Sequence, residues 1–161
     1  MKNLSGNVKK VLSFLLFATM LNVVHAQSDK QKAVKNLIES KNYVFTAQSV
    51  SPTTGAFRQL TSAYDLEVSQ DSVEAFLPYF GRAYSPPIDP NDGAIKFTST
   101  DFTYETIDRK RGGWDIIIKP KDVKFGQELM LTVFENGSAS LRVTSNNRQP
   151  ITFNGFINKQ S

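Results

Sequence analysis

The sequence predicts a mainly β protein, an antiparallel meander forming a barrel or sandwich, with one N-terminal α-helix. Three observations carry that prediction. Short apolar runs with period-two alternation recur at intervals of about 8 to 12 residues, the spacing of sandwiches and barrels. Gly, Asn, Asp and Pro fill the gaps between them, each a residue that turns favour. The clearest single unit is Gly112-Gly113-Trp114-Asp115-Ile116-Ile117-Ile118-Lys119-Pro120. It joins a glycine turn to three consecutive β-branched residues and stops at a proline that has no ladder donor.

In chain order, residues 1–26 read as a cleaved signal peptide. Lys2, Lys9 and Lys10 make a basic start, Val11 to Leu21 an apolar run, and Val24-His25-Ala26 a small-residue cleavage site before Gln27. The apolar run is shorter than the ~20 residues a spanning helix needs, and no membrane span is expected in the mature chain. Residues 27–161 then form a single exported domain. Removing the leader takes three lysines away, so the formal charge falls from +4 to +1 (4 − 3 = 1). A broad basic field disappears with it, and no nucleic-acid partner is expected.

The leader also takes His25, the one histidine, and the chain has no cysteine. Thiol nucleophiles, Ser-His triads, disulfides and the usual zinc sites are thereby excluded, as is the cysteine a bacterial lipid anchor needs. No cofactor and no metal are expected. An exported chain without disulfides relies on its core, which is feasible because a domain of this size buries about two thirds of its unfolded surface.

Residues 28–42 read as an amphipathic helix. Ser28 and Gln31 have capping-box spacing, and Ala33, Val34, Leu37, Ile38 and Lys41 trace one stripe. The stripe is expected to dock on the sheet. From Tyr43 the period changes to two, giving a strand that ends at Ser51-Pro52. Thr53-Thr54-Gly55 turns into a return strand beginning at Phe57 to Thr61. Tyr64, Leu66 and Val68 face one way and Asp65, Glu67 and Ser69 the other, so one face of that strand is wet. Val73 to Leu77 returns after Gln70-Asp71-Ser72.

Residues 78–93 hold four prolines, two glycines and three aromatics. That composition marks a structured loop, since disordered linkers are poor in aromatics, and loops of this length often carry function. The meander continues with Ala94 to Phe97, Phe102 to Ile107, the basic tip Arg109-Lys110-Arg111-Gly112-Gly113, and the Trp114 strand. Glu128 to Phe134 turns at Glu135-Asn136-Gly137 into Ser138 to Thr144, with Asn-Gly as the strongest short-range hairpin signal. Ser145 to Pro150 leads into Ile151 to Ile157.

Few residues point to chemistry. Asp65 and Glu67 project from one strand face, whereas a glycosidase needs carboxylates about 5 Å or more apart across a cleft; they read as a solvated face. Asp89-Pro90-Asn91-Asp92-Gly93 has calcium-loop composition without calcium-loop spacing and reads as a turn. Arg109-Lys110-Arg111 reads as a solvated hairpin tip. Tyr79, Arg82, Tyr84, Trp114 and Arg148 are the candidate ligand-binding set, because aromatic rings with a few donors make small-molecule pockets and sugar-stacking surfaces. The competing expectation places Phe80 and Trp114 in the core, with the tyrosines covering a barrel rim.

Leu77-Pro78-Tyr79-Phe80-Gly81-Arg82-Ala83-Tyr84, Gly93 to Phe97, Gly112-Gly113-Trp114, and Val143 to Ile151 with Gly155 resemble the family called domain of unknown function 4251. The likeness spans essentially the whole mature chain. It implies an exported Bacteroidetes protein in the periplasm or outer envelope of a Gram-negative cell, and it carries no assigned activity or catalytic residue. The expected function is a non-enzymatic binding module for a small apolar or sugar-like ligand. The alternative is a structural protein contacting another envelope protein, and a carboxylate-dependent hydrolase ranks last.

Overall fold

The computed structural model describes residues 29–84 and 93–160. The leader, the Ser28 cap and Asp89 to Asp92 lie outside the described residues. A helix, α1, covers 29–40. Ten strands follow: β1 (Tyr43–Pro52), β2 (Arg58–Gln59), β3 (Asp65–Val68), β4 (Val73–Pro78) and β5 (Ala94–Ser99), then β6 (Phe102–Asp108), β7 (Trp114–Pro120), β8 (Gln127–Val133), β9 (Ser138–Ser145) and β10 (Arg148–Lys159). They form one sheet in the order β5-β4-β3-β1-β10-β9-β8-β7-β6, curled into a nearly closed barrel, with β2 paired to β1 off that path.

Every pairing on the path is antiparallel. Nine strands alternating in direction leave the two edges, β5 and β6, pointing the same way. Only Thr100 and Asp101 separate them, so they are two halves of one bent strand and not the hairpin a simple meander implies. The first half pairs with β4 and the second with β7. The nine strands therefore act as eight staves (9 − 1 = 8), an even number that suits an antiparallel, nearly closed barrel. Asp122 holds the bend. Its carboxylate accepts from the Ser99 hydroxyl and from the backbone N–H groups of Thr100 (2.9 Å) and Asp101 (3.2 Å), while the Lys121 N–H donates to the Asp101 carbonyl (2.8 Å).

Alternation fills the interior. Tyr43, Phe45 and Ala47 point inward, a bulge at Gln48 resets the phase, and Val50 then points inward as well. Leu66, Val68, Val73, Leu77, Ile116, Ile118, Leu129, Leu131, Leu141 and Phe153 complete a core of fully buried side chains. Each contributes about 2 kcal/mol of apolar burial. The predicted return strand from Phe57 shrinks to the two residues of β2, because Phe57 points into solvent.

The helix covers one end of the barrel with a narrower stripe than expected. Val34 and Ile38 are buried and Leu37 half-buried, but Ala33 is exposed. Gln31 sends its amide to Glu135 (2.6 Å). The helix stops at Ser40, because Lys41 takes the left-handed conformation (φ 48°). Lys41 N–H bonds Ile38 O and Asn42 N–H bonds Leu37 O, the paired bonds of a Schellman stop. Lys41 Nζ sits 4.8 Å above the Tyr104 ring, and the Tyr104 hydroxyl donates to Ile38 O (3.2 Å) and meets buried Tyr43 Oη (3.3 Å). Burial raises both phenols above their ordinary range. At the same end, Glu135-Asn136-Gly137 forms a three-residue hairpin loop. Only Gly137 has positive φ (82°), so the loop is a turn followed by a glycine bulge and not a two-residue Asn-Gly turn.

Two measurements check this account. Gly155 lies against β1 so closely that an added Cβ would overlap the Thr46 carbonyl oxygen. Gly155→Ala is expected to cost about 3 kcal/mol, since overpacked strands must separate, read as a lowered urea midpoint. Asp122 is held down to about 2 by the Ser99 hydroxyl first and then by the backbone N–H groups. A lowered carboxyl stabilises the fold above its ordinary value near 3.8 and loses that contribution as pH falls through about 2. Thermal melts of wild type and Asp122→Asn should therefore differ at pH 5 and converge toward pH 2.

Candidate functional site

The barrel end away from the helix collects the β1–β2 connection, the chain leaving β4, the β7–β8 turn and the β9–β10 turn. After Pro78 the chain folds back along the start of β10. Gln149 N–H donates to Arg82 O (3.0 Å), Tyr84 N–H donates to Asn147 O (2.8 Å), and Ala83 bridges Arg148. Pro150 lies inside the register shift between Arg148 and Ile151, where a missing ladder donor is tolerated.

Arg148 is only 9% exposed. Its guanidinium lies 4.8 Å above the Tyr79 ring, with Nη1 donating to Ala94 O and Nε to the Asn147 side-chain oxygen, both at 3.3 Å. Ser145 Oγ donates to that same Asn147 oxygen (2.7 Å). The Asn147 side chain thus ties two side chains together. The Tyr79 hydroxyl lies within donating distance of Arg82 O (2.9 Å) and Gln149 O (3.0 Å). Burial pushes the Tyr79 phenol up, against the opposing pull of the Arg148 charge.

Beneath the guanidinium is a void of about 10 Å³ lined by Tyr79, Ile95, Gln127, Val143, Ser145 and Arg148, among others. That is room for about one water-sized group. Gln127 Oε1 is buried there and is the side-chain polar atom without a hydrogen-bond partner among the described residues. Aromatic rings are exposed at this end of the barrel: Phe57 in the β1–β2 connection is 62% exposed, and Phe80 and Tyr84 on the strip after β4 are 40% and 64% exposed. Arg58 stacks on Phe80 at 4.9 Å.

Of the five candidate residues, Tyr79 and Arg148 are in contact, and Arg82 and Tyr84 share their strip with side chains exposed. Trp114 is elsewhere. It pairs with Val133, six residues along β8 from Gln127, which pairs with the Ser145 that pairs with Arg148. That is about 20 Å along the strands. Trp114 is 6% exposed and belongs to the core beneath the helix end. Phe80, expected as core, stands on the rim. Gln127 and Arg58 belong to the site and nothing in the sequence marks them, because a polar residue opening a strand looks the same wherever it points.

The other candidates are placed as solvated features. Asp65 and Glu67 lie on the outer face of β3, where Phe76 opposes Asp65 and Glu74 opposes Glu67. Burial, with Glu67 beside it, raises the Asp65 carboxyl. Arg109 at the hairpin tip pairs with Asp115 (3.5 Å) and stacks on Phe134 (5.2 Å). Among the described residues no group of three His, Cys, Asp or Glu side chains is placed to hold a metal, and no helix is long and apolar enough to cross a membrane.

A family model described as Domain of unknown function (DUF4251) matches residues 25–157, and the chain belongs to that family. A crystal structure of a DUF4251 family protein from Bacteroides eggerthii is similar at a TM-score of 0.60 and 16% identity, covering 84% of this chain and 91% of that one. At that identity the likeness is one of fold. No curated protein matches the chain.

Tyr79→Phe keeps the ring under Arg148 and removes the hydroxyl from two carbonyls. It is expected to cost about 1 kcal/mol, the net worth of one such bond, measured by chemical denaturation.

Proposed function

We propose that this member of the DUF4251 family is a non-enzymatic, exported binding module that takes a small ligand, apolar or sugar-like in its bulk, at the barrel end opposite the helix. The observation that carries this reading is Arg148. A nearly buried cation stacked on Tyr79, beside an unpartnered Gln127 oxygen, holds polar groups that folding leaves uncommitted. Buried polar groups are normally satisfied within the fold, and exceptions cluster where something else completes them. The exposed rings of Phe57, Phe80 and Tyr84 supply stacking area beside them. The basic and apolar leader with its small-residue cleavage site supports export to the periplasm or outer envelope. The non-enzymatic part rests on a mature chain without His or Cys, and on carboxylates spread over an open outer face.

One observation favours the alternative of a partner protein in the envelope. Ile107, Met130 and Phe134 are large apolar side chains exposed on the far side of the barrel. Apolar side chains exposed together in one patch are typical of interaction surfaces.

Calorimetry of the exported protein against sugars, bile acids, fatty acids and peptidoglycan fragments tests the proposal. The expected result is a saturable isotherm for one class, weakened about tenfold or more in Arg148→Lys, because lysine replaces a planar fork with a point charge. Binding that survives in Arg148→Lys but is lost in Met130→Ser would move the function to the outer face. Turnover of a panel member, seen by mass spectrometry, would overturn the non-enzymatic reading.

A further inference from the structure

Resting on the reading that this barrel end binds a ligand, we infer that the ligand is a soluble organic anion: a carboxylate or phosphate ester joined to an apolar ring or chain. The argument begins with the arginines. Two guanidiniums at this end lie over aromatic rings, Arg148 over Tyr79 at 4.8 Å and Arg58 over Phe80 at 4.9 Å, and Arg82 is exposed on the strip that carries Tyr79 and Phe80. Among the described residues none of the three has a carboxylate within 4 Å. The barrel supplies its own comparison at the other end, where Arg109 is likewise stacked on a ring, Phe134, and is paired with Asp115. The same arrangement of guanidinium over ring is paired with a carboxylate at one end and, among the described residues, has none at the other.

A guanidinium over a ring face carries its N–H groups in its own plane, where an edge not used by the fold grips carboxylate or phosphate through two parallel bonds. Arg148 uses two of its five N–H donors, each in a 3.3 Å bond to a neutral oxygen. Among the described residues, three have no partner and face an incoming anion. The Gln127 oxygen adds the opposite demand, since it accepts and has no donor. A hydroxyl or amide next to the acid, or the single water for which the void has room, meets it. Phe57, Phe80 and Tyr84 then face the body of the ligand, which is why a bare inorganic anion is not the expected guest.

An anionic bilayer would share this chemistry. It is disfavoured because a flat surface reaches Arg58 and Arg82 but not an Arg148 that is nine-tenths buried. One molecule must enter the barrel end to reach it.

The test uses the full exported protein and four soluble probes: phenyl phosphate, benzoate, benzyl alcohol and inorganic phosphate, with phosphatidylglycerol vesicles as a fifth arm. Phenyl phosphate or benzoate is expected to bind saturably, at least about tenfold tighter than benzyl alcohol or inorganic phosphate, since a charge-assisted bidentate contact is stronger than a neutral one. Arg58→Gln and Arg82→Gln, both at exposed positions, should each weaken that binding several-fold, and Arg148→Lys should weaken it further. Raising the salt concentration should weaken it as well. Equal affinity for benzyl alcohol and phenyl phosphate would overturn the inference, as would unchanged binding in the arginine variants or binding to the vesicles alone. Saturable binding of benzyl alcohol while both organic anions fail would refute the anionic ligand and leave the binding module standing. Failure of every small molecule would refute both.

Discussion

The closure of the barrel depends on one two-residue bend. Thr100 and Asp101 let a single run of chain leave the β4 edge and join the β7 edge without reversing direction. β5 and β6 are the two ends of the sheet path, each paired on one side, and the bend joins them end to end so that the sheet curls into a nearly closed barrel. The bend carries its own unpaired groups, and the first residues after β7 satisfy them. Asp122 accepts from Ser99, Thr100 and Asp101, and Lys121 returns a backbone bond and an ion pair to Asp101. The ion pair is exposed and contributes little. The carboxylate accepting backbone N–H groups is the more directional contact, and it couples the closure of the sheet to the end of β7.

Closure decides what each end of the barrel is for. At one end α1 supplies Val34 and Ile38 as a lid, and its stop at Lys41 brings a lysine over Tyr104 just where Tyr43 and Tyr104 share a hydroxyl contact. Trp114 sits in that closed end and works as core. At the other end the chain after β4 is tied to the start of β10 by backbone bonds from Gln149 to Arg82 and from Tyr84 to Asn147. Tyr79 and Arg148 meet because of those bonds. An anchored backbone with exposed side chains is the arrangement that gives a recognition surface fixed geometry at low entropic cost.

The interior also limits what the protein can hold. Side chains fill the middle of the barrel, as in small eight-stave barrels generally. The ligand proposed here is consequently met at the mouth, by Arg148 and the rim aromatics, with the bulk of the molecule outside the staves. The acidic outer face around Asp65, Glu67 and Glu74 lies on β3 and β4, so an anion approaching the arginines is not drawn to the side wall.

The sequence by itself determined the class of fold, most strand positions, the helix and the solvated character of the Asp65–Glu67 face. These are local properties, set by a period of 2 or 3.6 and by turn chemistry. It also placed Tyr79 and Arg148 among the residues of interest, since rings and cations in a Gly- and Pro-rich setting stand out. Only the tertiary structure decided that Trp114 and Arg148 are separated by about 20 Å along the strands, that Phe80 faces solvent, that β5 and β6 are one bent strand, and that Gln127 belongs to the site. Each depends on register and closure, which link residues far apart in the chain. A strand's alternation says which side chains share a face, but whether that face meets the closed end or the open one is set by the strand beside it.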